Sequence, residues 1–176
     1  MKKLTTVIAA MALFFIASAF TPDPDSNEVI ASLFNTKNAK AVKAEKLSTN
    51  VTKAFDQKYA KAENVNWKQN ESLYFADFEL NKKPFTVAYT ENGDLFAICR
   101  RIQFDQLPIV VTDLLADEYA DYKLPTNVTE IVMEGSTSYY LIAEGKSNYL
   151  QLKCSPDGNI SIDKKIKKKV LVGSVL

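Results

Sequence analysis

The stretch Tyr89-Thr-Glu-Asn-Gly-Asp-Leu95 has a counterpart downstream, Cys154-Ser-Pro-Asp-Gly-Asn-Ile160. Asn-Gly and Asp-Gly are dipeptides that accept the positive φ angles of a tight hairpin turn. In both copies an apolar residue stands four positions before the glycine and another two positions after it. The two stretches therefore read as the same hairpin written twice, and they fix where strands must end and begin on either side.

Working outward, each hairpin is preceded by one helical pattern and a series of alternating segments. Val51, Ala54, Phe55 and Tyr59 recur at the spacing of one buried helix face, as do Val111, Leu114, Leu115 and Tyr119 sixty residues later. Ser48 or Thr49 is placed to cap the first helix, and Pro108 suits the first turn of the second. Strands are expected over residues 64–68, 72–80, 85–90 and 95–103, and again over 128–134, 138–144, 149–154 and 160–166. The fold class expected is α+β: a tandem repeat of one helix plus a four-stranded antiparallel meander, the two sheets side by side with helices on one face.

Alternation assigns the faces. Tyr74, Ala76, Phe78 and Leu80 should meet the helix, together with Val65, Trp67, Phe85, Val87, Tyr89, Leu95 and Ala97. Tyr139, Leu141, Ala143, Leu150, Leu152, Cys154, Ile160 and Ile162 take the matching places in the second half. The opposite face is mostly polar, yet it also carries Leu73, Phe75, Ala88, Phe96, Ile98, Tyr140 and Ile142. A contiguous apolar patch of this kind marks an interface, and these seven residues form the candidate partner-binding face. Coverage by the leader, or by a second copy of the chain, is the competing explanation. A homodimer is compatible with either.

Outside the regular part, residues 1–19 read as a cleaved signal peptide. Lys2 and Lys3 precede an apolar run over 4–16, and Ala17-Ser18-Ala19 supplies a small-residue cleavage site before Phe20. The run is shorter than the roughly 20 residues of a membrane span, so no stable membrane insertion is expected after cleavage, and the product would be periplasmic or secreted. Residues 20–46 form a flexible leader, 47–105 and 106–168 the two repeats, which together make one domain, and 169–176 a C-terminal tail.

Composition excludes several chemistries. The chain of 176 residues has 22 Lys and Arg against 21 Asp and Glu, and no histidine. Near-neutral charge argues against nucleic acid, and the lysines at 164, 165 and 167–169 read as a solvated strand end. Without histidine there is no imidazole base and no common zinc set. Asp77 and Glu79 share a strand face about 7 Å apart, a spacing that a solvated surface explains as well as acid–base chemistry does. The two glycine turns offer too few oxygens for calcium. The reading is a non-enzymatic protein with no catalytic residue, cofactor or metal. Cys99 and Cys154 could bond, although each sits in an apolar alternation where a free thiol serves as a small hydrophobe.

The pattern Val51-x3-Phe55-x3-Tyr59, Val65-x-Trp67, Tyr74-x-Ala-x-Phe78 and Asn92-Gly93-x-Leu95, followed by Gln106-Leu107-Pro108, Tyr119 and Asp157-Gly158, resembles the PepSY-like, beta-lactamase-inhibitor-like proteins exported by Bacteroidota-type bacteria. The resemblance covers residues 47–168. It implies tandem helix-plus-four-strand units and brings no catalytic mechanism. The second half departs from the pattern in having no tryptophan and no aromatic after Gly158. The function expected is an exported binding module for an envelope protein or peptide. The alternative is a carrier of a small hydrophobic ligand, with a pocket between helix and sheet near Trp67 and Tyr74.

Overall fold

The computed structural model describes residues 38–70 and 73–168. The signal-peptide reading, residues 20–37 of the leader and the tail beyond residue 168 lie outside the described residues. The remainder of the leader contributes strand β1 (Lys40–Ala41) and a 3-10 turn at Ala44–Lys46.

Helix α1 (Thr49–Lys58) begins where Ser48 caps it, the hydroxyl oxygen accepting from the Val51 amide at 3.2 Å. The same hydroxyl donates to the Glu91 carbonyl at 2.9 Å, which ties the helix start to the first Asn-Gly turn. Helix α2 (Ile109–Glu118) starts differently. Pro108 stands just before it, and its carbonyl accepts from the amides of Val111 and Thr112. The fixed φ of proline suits such a start.

The strands are β2 (Glu63–Gln69), β3 (Leu73–Leu80), β4 (Lys83–Thr90), β5 (Leu95–Gln103), β6 (Asn127–Met133), β7 (Ser136–Glu144), β8 (Asn148–Cys154) and β9 (Ile160–Lys167). Their assembly corrects the expected fold class. All nine strands form one antiparallel sheet in sequence order, in place of two sheets belonging to tandem repeats. The physical reason lies at β5 and β6, which run paired from Ala97↔Met133 to Gln103↔Asn127. A full-length ladder there leaves no edge at which one unit ends and another begins. The molecule is mostly sheet, with two helices among the described residues.

Both helices pack on the same side. Val51, Phe55 and Tyr59 of α1 and its cap meet Trp67, Tyr74, Phe78, Val87 and Tyr89. The Phe55 ring stands edge-on to Trp67 and Phe78, with centroids 5.1 and 5.2 Å away. Such pairs add about 0.5–1.5 kcal/mol each beyond the area they bury. Beneath α2 the core is aliphatic: Val111 and Leu115 pack on Ile102, Val128, Leu141, Leu150 and Leu152. On the same side of the sheet, Arg100 of β5 pairs with Glu130 directly across β6.

The two hairpin glycines serve this packing as well as the turns. Gly93 has φ +88°, and a Cβ there would lie 2.7 Å from the Asn50 carbonyl oxygen. Gly158 has φ +92°, and its Cβ would meet Leu114 Cδ1 at 2.9 Å and Val110 Cγ2 at 3.0 Å. Each turn thus folds back against its own helix, which explains why both positions require glycine.

The two outer strands are unlike. β1 covers only Lys68 and Gln69 of β2, where Asn64 adopts φ +55° beside an irregular stretch of pairing. β9 is long, and carries Lys164, Lys165 and Lys167.

Candidate functional site

The side of the sheet opposite the helices carries a third apolar cluster. Phe75 of β3, Ala88 of β4, Ala97 and Cys99 of β5, Ile131 of β6 and Tyr140 of β7 form it, and Leu73 and Phe96 pack against it. The register explains why they meet. Phe75 stands across from Ala88, Ala88 from Ala97, Cys99 from Ile131, and Tyr140 from Thr129. Side chains directly across a ladder share a face, so the cluster runs across five strands.

The structure therefore brings together Leu73, Phe75, Ala88, Phe96 and Tyr140 from the sequence-derived set. Ile142 shares their face through its pairing with Gln151 but lies outside the cluster. Ile98 is a correction: it packs in the α1 core, on the other side of the sheet. Ala97, expected in that core, belongs to the helix-free cluster instead. The cause is an irregularity between β4 and β5, where Ala88 pairs with Ala97 but Tyr89 pairs with Leu95. Phe96 is the extra residue, a β-bulge, and one inserted residue reverses the facing of every residue beyond it. The signal available in sequence was the consecutive apolar pair Leu95-Phe96 directly after the turn.

Sequence reasoning also missed Cys99, Ile131 and Met133. The first two are buried at 2% and 4% exposure, whereas Met133, paired with Ala97, is 40% exposed at the rim. Ile162 was expected in the core; it lies 55% exposed on the last strand.

Polar groups border the cluster on both flanks. Asp77 accepts from Thr86 Oγ1 at 2.7 Å and from Lys68 Nζ at 2.8 Å. Across the sheet, Lys153 Nζ sits 5.8 Å from the Tyr140 ring centroid, and buried Gln151 donates to Asp163 at 2.7 Å. Burial, with the negative charge of Asp77 beside it, pushes the Cys99 thiol up to about 12. Burial alone pushes Cys154 up to about 11. Both cysteines are free. They face opposite sides of the sheet, Cys99 in the helix-free cluster and Cys154 in the α2 core.

Trp67 and Tyr74 both belong to the core beneath α1. A cleft of about 600 Å³ reaches Trp67 from the β1 edge, lined also by Val42, Glu45, Val65, Lys68 and Asp77. Tyr74 is not among its walls. Asp77 is engaged by Lys68 and Thr86, and Glu79 stands exposed farther along the same strand. Among the described residues no three acidic, histidine or cysteine side chains come together as a metal set would require.

No family model matches the sequence, and no curated protein matches it. Solved structures do match in fold. A DUF2874 family protein from Bacteroides uniformis superposes with a TM-score of 0.59 at 22% identity, covering 68% of this chain and 88% of its own. A BLIP-like protein from Bacteroides fragilis gives 0.59 at 19%, covering 70% and 89%. A Bacteroides eggerthii protein whose description places it provisionally in the periplasm gives 0.59 at 21%, covering 69% and 88%. At these identities the likeness is one of fold: the chain is built on the same sheet-and-helix plan as these Bacteroides proteins.

Proposed function

We propose that this chain is a non-enzymatic exported binding module of the PepSY-like, BLIP-like kind, and that it engages an envelope protein or peptide through the helix-free face of its sheet. The observation that carries the reading is the third apolar cluster, which crosses β3 to β7 away from both helices. Core packing beneath the helices has no use for it. An apolar centre with aromatic members and a polar border is the composition of a protein interface. Here the centre is Phe75 and Tyr140, and the border is Asp77, Lys68, Gln151 and Lys153. Export is supported by the signal-peptide pattern of residues 1–19 and by the periplasmic description of one structural neighbour. No helix among the described residues is long and apolar enough to cross a membrane.

The test is capture from an envelope extract, followed by identification of the bound proteins. Phe96→Asp combined with Met133→Asp changes the rim without emptying the buried centre. At least a tenfold loss of specific partners is expected, with the melting temperature held near that of the wild type. Equal capture of the same partners by both proteins overturns the reading.

A second reading, a carrier of a small apolar molecule, draws on the cleft beside Trp67. Trp67 is the only tryptophan in the chain, so its fluorescence reports occupancy directly. A saturable shift on titration with fatty acid, absent in Val65→Asp, would favour the carrier over the protein-binding module.

A further inference from the structure

Three large apolar side chains stand open to water at one margin of the molecule. Ile109 is 75% exposed, Val110 39% and Ile162 55%. Ile162 faces the helix side, because it pairs with Leu152 of the α2 core. The turn at Gly158 joins the two elements: it lies against Val110, and β9 leaves it two residues later. An exposed apolar group of this kind marks a contact surface.

The charges beside these residues have an order. Along α2, Ile109, Asp113 and Asp117 fall at four-residue steps and form one exposed stripe. Along β9, Ile162, Lys165 and Lys167 share the helix side, through pairing with Leu152, Leu150 and Asn148. Both elements therefore read apolar first and charged later, acidic on the helix and basic on the strand. They also run the same way. Their starts meet at Gly158. Their far ends meet near Gly145, where Tyr122 reaches both the glycine and Tyr119, and where Asn148 pairs with Lys167. None of the four charges has an ion pair among the described residues.

We propose that this margin is a dimer interface, occupied by the same margin of a second copy. A two-fold axis parallel to α2 and β9 sets the helix of each copy against the last strand of the other. Ile109 then meets Ile162 of the partner subunit, while Asp113 and Asp117 face Lys165 of the partner subunit and Lys167 of the partner subunit. Asp117 lies about 12 Å along the helix from Ile109. Lys167 lies about 17 Å along the strand from Ile162, a difference that flexible lysine stems absorb. A partner of one charge sign would leave half of this margin opposed by like charge, whereas a second copy satisfies both halves. The charges fix partner and register, and the apolar end supplies affinity. The interface uses neither the helix-free face nor the cleft beside Trp67, so it stands or falls apart from both binding readings.

Charge reversal supplies the test, with the mature chain followed by sedimentation velocity and native mass spectrometry. Wild type should sediment as a dimer at high micromolar concentration. Asp113→Lys with Asp117→Lys should weaken self-association at least tenfold, and so should Lys165→Glu with Lys167→Glu. Mixed in equal amounts, the two variants should form a mixed dimer close to wild-type affinity, because each acidic stripe again faces a basic one. Ile162→Asp, at an exposed position, should also yield monomer while the melting temperature stays near that of the wild type. A wild type that remains monomeric overturns the proposal. So do reversed variants that associate as the wild type does, or a mixture that stays monomeric. Should a reversed chain fail to fold, Ile162→Asp decides alone, and unchanged association of that variant overturns the interface.

Discussion

The two helices solve one packing problem with different materials. Beneath α1 the sheet offers rings: Trp67, Tyr74, Phe78 and Tyr89 close around Phe55 and Tyr59. Beneath α2 it offers branched chains, with Val128, Leu141, Leu150 and Leu152 around Val111 and Leu115. The helix starts differ in the same sense, a side-chain cap at Ser48 against a proline start at Pro108. α1 shows little apolar surface, while Ile109 at the start of α2 is 75% exposed. One sheet thus tolerates two core chemistries, provided that its strands stay in a common ladder.

The largest effect that separates the halves should come from their centres. Phe78→Ala removes a ring in contact with Phe55, Tyr59 and Phe85 and should cost about 4 kcal/mol. Leu115→Ala should cost about 3 kcal/mol. Urea denaturation measures both, and the reverse order would show that the aromatic half is not the tighter one. The turns come next. Gly93→Ala meets fixed backbone at Asn50, whereas Gly158→Ala meets side chains of Leu114 and Val110 that can turn aside. Positive φ costs an alanine about 1–2 kcal/mol at either site, so Gly93→Ala should be the more damaging by the added clash. Equal losses would mean that the turn conformation alone matters.

Smaller still is the cap. Ser48→Ala should cost about 1 kcal/mol, while Pro108→Ala, which loses no side-chain hydrogen bond, should cost less. The smallest effect at working pH comes from the buried thiols. Each is held neutral in the fold and ionises more readily when unfolded, so the unfolded state gives up its protons first. Stability should be level below pH 9, the ordinary thiol value, and fall as pH rises towards about 11 for Cys154 and about 12 for Cys99. Burial raises the Tyr89 hydroxyl too, which steepens the fall above pH 10. Thermal melts between pH 8 and 11 follow this, and a flat profile would show that the thiols reach water.

Much of the secondary structure was legible because the periodicities are strong. The Val51, Phe55, Tyr59 spacing and the glycine turns mark their elements within a residue or two. Assembly was not legible, because nothing in local alternation states that β5 will pair with β6 along its whole length. The candidate face was partly readable from Phe75, Ala88 and Tyr140. It failed at Ile98, since an inserted residue changes facing without changing composition. The membership of Cys99 and Ile131 was not readable either, because it depends on the bulge at Phe96 and on the β5–β6 ladder that sets Cys99 across from Ile131.

The unequal outer strands have a consequence for life in a crowded compartment. A nine-stranded sheet with bare ends would invite another chain to continue its ladder. Here one end offers β1, two residues long, beside a β2 strand turned out of line at Asn64. The other presents lysines whose mutual repulsion opposes an incoming copy of the same strand. Among the described residues, both ends thus carry a feature that opposes the addition of a further strand: brevity and a backbone irregularity at one, like charge at the other.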